Sequence, residues 1–230
     1  MHAQAPVPRL RLLGRYDYPT SYRMFEVVSL VVFVIFGGFF ARKLGHELTD
    51  RLNGGVAVGV AAAALLAYAT ADFLTGLVHF LCDNLGSPDT PIVGQKFIKS
   101  FRDHHDTPKA MTLDGFVAVN ADNFAVCLPV LIPAALWLDV SRHLYAAAYL
   151  GVLLVFIVTT NEAHKWAHMD RPPRVARLLQ ATLLLAPANH AVHHADPFDK
   201  NYCITSGMLN PLLTRLHFWP TLLRLLRRPS

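Results

Sequence analysis

Four apolar stretches dominate the chain, and shorter polar segments separate them. The uncharged runs cover residues 27–41, 52–71, 123–138 and 144–161. A membrane-spanning helix needs about 20 mostly apolar residues, and the helical pattern continues beyond several of these runs. We therefore predict four transmembrane helices, at about residues 24–42, 54–82, 117–139 and 143–168. Pro129 and Pro133 predict a kink in the third.

The remaining chain is predicted to form a cap on one side of this bundle, from residues 83–116 and 169–230. Residues 174–187 are apolar but too short to span, which indicates a re-entrant or interfacial helix. Residues 209–226 interleave leucines with arginines, which is typical of a helix in the headgroup region or of one docked on the protein. The expected fold is an all-α, four-span bundle with a cap, in a single domain covering residues 1–230.

The composition agrees with a membrane protein, since 53% of the residues are hydrophobic and 16% are charged. A net charge of +5 also occurs in nucleic-acid binders, but the placement of the basic residues explains it differently. With four spans, 17 of the 21 lysines and arginines fall on the side that carries both termini. The positive-inside rule then predicts a cytoplasmic cap and no nucleic-acid partner. Residues 1–23 lack a long apolar core, so we expect a retained signal anchor.

Twelve histidines are present, and most of them cluster near the ends of the predicted spans. Side chains three or four residues apart share a helix face, so each cluster directs several imidazoles to one point. Eight fall on the predicted cytoplasmic side: His79, His104, His105, His164, His168, His190, His193 and His194. His46 and His143 fall on the opposite side and are not expected to join them.

Imidazole is the commonest metal-binding side chain, and eight exceed the roughly four ligands that one zinc ion takes. We therefore predict a site for two metal ions, with a pH-sensing cluster or unrelated core histidines as the alternatives. The sequence contains no His-Glu-x-x-His motif, so it does not indicate a zinc protease. A haem bound by two histidines would leave the adjacent histidine pairs without an explanation. Cys82, Cys127 and Cys203 lie far apart and predict neither a disulfide framework nor a zinc knuckle.

Five polar side chains are predicted to bind the metal site and orient its imidazoles: Asp72, Asp83, Asp122, Asn123 and Asn161. Asp72 and Asp83 share the helix face of His79, and Asn161 precedes His164 by three residues. An acid within an apolar run is a functional candidate by default. Asp83 is also predicted as a metal ligand.

Seven motifs follow one another across about residues 72–220: GLVH at 76–79, TPIVG at 90–94, FRDHH at 101–105, NADN at 120–123, HKWAH at 164–168, HAVHH at 190–194 and YCITSG at 202–207. In these motifs the chain resembles the plasmanylethanolamine desaturase family of membrane lipid desaturases. Phe101 and Asp83 stand where general fatty-acid desaturases carry histidine. The resembling family looks similar at both positions, which supports membership.

The resemblance implies a di-iron enzyme that uses O2, with the eight histidines as iron ligands and catalytic residues. It implies that the 1-O-alkyl chain of an ether phospholipid, plasmanylethanolamine, is converted to a vinyl ether. It also implies electrons from cytochrome b5 or from a ferredoxin-like bacterial carrier. A desaturase of another position or headgroup, similar to a phosphatidylglycerol desaturase, and a di-iron hydroxylase are the alternatives. Arginine outnumbers lysine 15 to 6, which favours a bacterial inner membrane over the endoplasmic reticulum.

Overall fold

The computed structural model describes residues 19–227, and every regular element within that range is helical. In chain order the α-helices are α1 (Thr20–Arg51), α2 (Gly54–Asn84), α3 (Lys99–Asp106), α4 (Phe116–Trp137), α5 (Leu144–His168), α6 (Arg174–Thr182), α7 (Pro187–His193), α8 (Asn210–Arg215) and α9 (Phe218–Leu226). A π-helical turn at Gly94–Ile98 leads into α3, and a 3-10 turn at Ala110–Leu113 follows it. The predicted all-α fold is confirmed. Residues 1–18, on which the signal-anchor expectation partly rests, lie outside the described residues.

Helices α1, α2, α4 and α5 are long and apolar enough to cross a membrane, as predicted. Asn53 caps the start of α2 by accepting a hydrogen bond from the Val56 N–H, which allows a tight link from α1. Helix α4 continues through both of its internal prolines. The starts of α1 and α4 and the ends of α2 and α5 form what is termed here the histidine end of the bundle; the opposite end is termed the distal end.

Small side chains allow the long helices to approach closely. Ala135 of α4 and Ala147 of α5 are fully buried, and Phe40 and Leu131 fill the space beside them. Such contacts are typical of membrane bundles, in which van der Waals packing drives the association of helices. The outer surface carries many exposed apolar side chains, such as Val34 of α1, which suits contact with lipid.

Part of the cap lies beside the long helices rather than above them. Tyr68 of α2 donates a hydrogen bond to the Leu183 carbonyl, directly after α6. Asp72 accepts three backbone hydrogen bonds from the loop before α8, from Ser206, Gly207 and Leu209. Tyr68 and Asp72 precede His79 by about 16 and 10 Å along α2. The segments after α6 and before α8 are therefore sunk alongside α2.

The prediction of one helix over residues 209–226 is wrong, because α8 and α9 are separate. His217 between them has a left-handed backbone with a φ of 47°, which ends α8 and redirects the chain. Trp219 then stacks on Phe80 of α2, with ring centroids 5.1 Å apart. Helix α9 is therefore docked on the protein, while Leu225 and Leu226 remain exposed.

Gly76 allows the loop before α8 to touch α2. A Cβ at Gly76 meets the Cys203 Sγ at 2.6 Å and the Cys203 backbone N and Cα at 3.0 Å. Because backbone lies on both sides of this contact, Gly76→Ala is expected to destabilise the protein by about 1–3 kcal/mol. Gly38→Ala is the matched control, since nothing lies within 4 Å of its Cβ. Thermal unfolding in detergent compares the two, and equal melting temperatures contradict the close packing at Gly76.

Candidate metal centre

All eight histidines predicted to lie on one side meet at the histidine end, where they form two groups. The five-histidine group contains His104, His164, His168, His190 and His194. The mixed group contains His79, Asp83, His105 and His193. Within each group the potential ligand atoms lie within 4.8 Å of one another. His46 pairs with Asp50 near the end of α1, and His143 precedes α5, so both lie at the distal end.

The five-histidine group is centred on His168, the last residue of α5. Its Nε2 atom lies 3.0 Å from Nε2 of His104, 3.1 Å from that of His164 and 2.8 Å from that of His190. His194 joins through a contact of 3.0 Å between its Nε2 atom and that of His190. Helices α3, α5 and α7 thus supply ring nitrogens to one point.

The mixed group is built around the Asp83 carboxylate, one turn after His79 on α2. Its Oδ2 atom lies 3.0 Å from His105 Nε2, 3.4 Å from His79 Nε2 and 3.6 Å from His193 Nε2. The carboxylate therefore occupies the place of a fourth ligand among three imidazoles. Helices α2, α3 and α7 contribute to this group, so α3 and α7 bridge both groups.

Backbone carbonyls fix the orientation of two rings in the mixed group. His79 Nδ1 lies 3.2 Å from the Tyr202 carbonyl, and His193 Nδ1 lies 2.9 Å from the Lys200 carbonyl. A carbonyl only accepts, so each Nδ1 carries the proton and each Nε2 presents its lone pair to the group. Aromatic side chains pack against two rings of this group, since Phe101 lies 5.0 Å from His79 between ring centroids and Phe198 lies 5.0 Å from His105.

Four histidines of the cap, His104, His190, His193 and His194, are held in their neutral form. Burial is the main cause that lowers the pKa of His104 to about 2, of His193 to about 3 and of His194 to about 4. Burial also lowers the pKa of His190 well below its ordinary value. Metal ions bind neutral imidazole, so these rings are ready to act as ligands at neutral pH.

The positions of the ligand atoms are explained better by shared metal ions than by hydrogen bonds between the residues. His168 Nε2 faces three other Nε2 atoms, but one ring nitrogen has only one proton or one lone pair to share. In the mixed group, His79 Nε2, His193 Nε2 and Asp83 Oδ1 are buried without a hydrogen-bond partner. Nitrogens about 2.1 Å from a shared ion and at right angles are about 3.0 Å apart, which matches the observed contacts. Imidazole with carboxylate is also a donor set that suits iron.

Asp72 was predicted to belong to this site, and its contacts give it a different role. Both of its oxygens accept backbone N–H groups of the loop before α8, and within the described part of the chain it bonds no histidine. That loop carries the Tyr202 carbonyl, which orients His79. Asp72 therefore acts on the histidines only through the loop, because seven residues place it two helical turns from His79.

The expectation for Asp122, Asn123 and Asn161 is corrected in the same way. Asp122 pairs with Lys96 at 2.6 Å and accepts a hydrogen bond from Tyr22, which ties α1 and α4 to the π-helical turn. Asn123 donates to the Ile157 carbonyl of α5, and Asn161 donates to the Val119 carbonyl of α4. Within the described residues these amides join helices rather than histidines, since polar side chains in a bilayer bond across helix contacts.

Sequence reasoning missed the asparagine network that holds the loop carrying Lys200 and Tyr202. Asn189 of α7 accepts hydrogen bonds from Asn201 and Asn210 and donates one to the Gly207 carbonyl. Asn210 also pairs with the backbone N–H and carbonyl of Cys203. In this asparagine network, Asn201 has a left-handed backbone and the side chain of Asn210 is fully buried. Its only sequence signals were Asn201 directly before Tyr202 and Asn210 three residues after Gly207.

Comparisons with known proteins agree with this arrangement. The lipid desaturase domain matches residues 68–228. A plasmanylethanolamine desaturase of Myxococcus xanthus is 39% identical over 215 residues, which cover 91% of this chain and 73% of that protein. Plasmanylethanolamine desaturase 1 of Mus musculus is 40% identical over 172 residues, or 71% of this chain and 62% of the mouse protein. Fatty acid desaturase 4 of Arabidopsis thaliana, a chloroplastic protein, is 33% identical over 159 residues, or 66% of this chain and 47% of the plant protein. No solved structure matches the chain significantly.

Four apolar helices with a histidine-rich centre at one end define an integral membrane oxidoreductase of the desaturase class. The chain belongs to the lipid desaturase domain family, and the resemblance recognised in its motifs is confirmed.

Proposed function

We propose that this protein is an O2-dependent di-iron desaturase that converts the 1-O-alkyl chain of plasmanylethanolamine to a vinyl ether. The two ligand groups carry the proposal, because nine ligand side chains converge where one metal ion needs about four to six. The identity to two proteins named plasmanylethanolamine desaturase supports the choice of substrate over the chloroplastic alternative, whose identity is lower.

In this proposal each of the two ligand groups binds one iron ion. The five-histidine group would hold one ion, and His79, His105, His193 and Asp83 would hold the other. Iron bound there would supply activation of O2 and removal of two hydrogen atoms from adjacent carbons of the alkyl chain. The protein keeps the imidazoles of His104, His190, His193 and His194 neutral by burial. It fixes Nε2 of His79 and His193 through backbone carbonyls, and it packs Phe101 and Phe198 against rings of the mixed group.

The overall reaction requires electrons from outside the protein. O2 takes two electrons and two protons from the two C–H bonds and two more of each from elsewhere, leaving a C=C bond and two water molecules. We propose cytochrome b5 or a ferredoxin-like bacterial carrier as the donor. The carrier would approach from the cytoplasm, the side that the distribution of lysine and arginine indicates for the histidine end. A bacterial inner membrane is the proposed location.

The depth of the site agrees with a reaction next to the headgroup. The ligands lie at the very ends of α2 and α5, so they are level with the membrane surface rather than its centre. In an ether phospholipid the first two carbons of the alkyl chain are also close to the glycerol. A desaturase for the middle of an acyl chain must bring carbons from much deeper in the bilayer to the same metal site.

Lipid analysis tests the proposal directly. The gene is expressed in a bacterium without vinyl-ether lipids that is fed an alkylglycerol, and lipids are examined by mass spectrometry before and after mild acid. We expect acid-labile vinyl ethers only in cells with the wild-type protein. A product heavier by one oxygen, or a double bond elsewhere in the lipid, contradicts the proposed reaction. Purified protein that binds a single zinc ion and no iron contradicts the di-iron assignment.

A further inference from the structure

Helix α6 lies between two helices that carry metal-ligand histidines. The chain leaves α5 directly after His168, turns at Pro172 and Pro173, and enters α6 at Arg174. After α6 it continues into α7, which carries His190. Three arginines spaced three residues apart, Arg171, Arg174 and Arg177, occupy the turn and the first part of the helix.

Helix α6 has a buried edge, a basic edge and an exposed apolar edge, as expected of a helix at a membrane surface. Ala176 and Gln180, four residues apart, form the edge buried against the protein. Arg174 and Arg177 lie along one exposed edge, and Val175 and Leu178 lie along the neighbouring exposed edge. The two apolar side chains are 58% and 65% exposed. Apolar side chains this exposed are stable next to lipid, and the adjacent arginines then lie at the level of lipid headgroups.

The contacts of α6 show that it descends along the bundle. Its start follows the histidine end of α5, whereas Leu183 just beyond its last turn bonds Tyr68 of α2. Tyr68 is 11 residues before His79, which corresponds to about 16 Å along the helix. Helix α6 therefore runs from the histidine end towards the interior of the bilayer, with its arginines in the upper part.

The guanidinium groups of this row are free to bind an anion. Two other cations near the histidine end are engaged, since Arg102 donates to carbonyls of Cys82 and Leu85, and Lys109 pairs with Asp170. Within residues 19–227, no hydrogen bond or ion pair involves the side chains of Arg171, Arg174 and Arg177. A row of unpaired guanidiniums beside an apolar edge complements a phosphodiester attached to lipid chains.

We propose that Arg171, Arg174 and Arg177 bind the phosphate of the phospholipid whose chain enters the metal centre. The inference rests on the proposed lipid substrate and names the part of the protein that holds its headgroup. The phosphorus of a glycerophospholipid is six bonds from the first carbon of the sn-1 chain, or about 8 Å. Arg171 follows His168 by only three residues, so a phosphate held by this row keeps that carbon close to the five-histidine group.

Binding of two lipids that differ only in the phosphate tests the site. Purified protein in an uncharged detergent is titrated with an alkyl-acyl-glycerophosphoethanolamine and, separately, with the alkyl-acyl-glycerol that lacks phosphate. Loss of a charged hydrogen bond weakens binding about tenfold or more, so the Arg174→Gln/Arg177→Gln variant should lose at least about tenfold for the phospholipid. Its affinity for the phosphate-free lipid should not change. The Arg215→Gln variant is the matched control, because Arg215 is an exposed arginine of α8, beside exposed leucines but outside the α5–α7 segment.

Three results overturn the proposal. In the detergent titration the first two are unchanged phospholipid affinity and equal weakening for both lipids. The third is found when binding of the same lipids is repeated in vesicles with and without anionic lipid: an effect confined to vesicles that contain anionic lipid assigns the row to general membrane attachment. Metal content of the variant is measured alongside and should equal that of wild type, which shows that the fold is intact. The titration measures binding and needs no turnover. Phosphate-dependent binding without any vinyl-ether product would therefore mean that the proposed reaction is wrong while this phosphate site is correct.

Discussion

Replacing His168 with alanine is expected to abolish vinyl-ether formation and to lower bound iron from about two ions per chain to about one. His168 Nε2 touches three other ring nitrogens of the five-histidine group, more than any other ring in the described structure. Its removal takes away a ligand from the centre of that group and leaves the mixed group complete. Iron analysis of purified protein and lipid mass spectrometry of the expressing cells measure the two effects.

The matched control for this variant is His46→Ala, the same substitution at the distal end. His46 is exposed and pairs with Asp50, so its loss should leave iron content and activity at wild-type levels. Iron content near wild type in His168→Ala, together with continued desaturation, contradicts the assignment of the five-histidine group as a metal site. Loss of both ions together shows instead that the two groups load as one unit.

Replacing Asp83 with asparagine is expected to weaken binding of one of the two ferrous ions by about 10- to 100-fold and to stop turnover. Asparagine keeps the size of the side chain but removes the only negative charge among the ligands of the mixed group. A neutral amide oxygen attracts a divalent cation far less than a carboxylate does. Titration of metal-free protein with ferrous ion should therefore change from two tight sites to one.

Asp122→Asn provides the matched control, since it makes the same chemical change at the same end of the bundle. Asp122 contacts Lys96 and Tyr22, so this variant should lose some thermal stability and keep both tight sites. If Asp83→Asn binds two ferrous ions as tightly as wild type, the carboxylate only orients His105 and is not a ligand.

The convergence of the eight histidines was predictable because two short-range rules determine it. Helical spacing places His164 and His168 on one face, and the alternating direction of the four spans places the ends of α2 and α5 and the cap histidines at the same end. The four long helices followed from the length of their apolar runs. Nothing beyond local pattern was needed for these features, and they are the features that the structure reproduces.

The partners of the other polar residues were not predictable, since those partners are backbone groups distant in sequence. Asp72 meets a loop that begins 134 residues later, and Asn123 meets a carbonyl 34 residues away. Asp72 was a candidate for the metal site because it shares a helix face with His79, but the same face of α2 also contacts the loop before α8. The roles of Lys200 and Tyr202 were missed because both residues act through their backbone carbonyl groups. Every residue has a carbonyl, so the sequence cannot distinguish these two from any others.

The hydrogen bonds of Asp72 impose an order on how the protein is assembled. Helix α2 enters the bilayer while residues 206–209 are still unsynthesised, since chains are made from the N-terminus. Until those residues arrive, the carboxylate lacks its donors, a state that costs about 3 kcal/mol within a membrane. The docking that relieves it also delivers the Tyr202 carbonyl to His79. A chain that stops before residue 202 is therefore expected to lack the carbonyl that orients His79, and proteases can remove such incomplete chains.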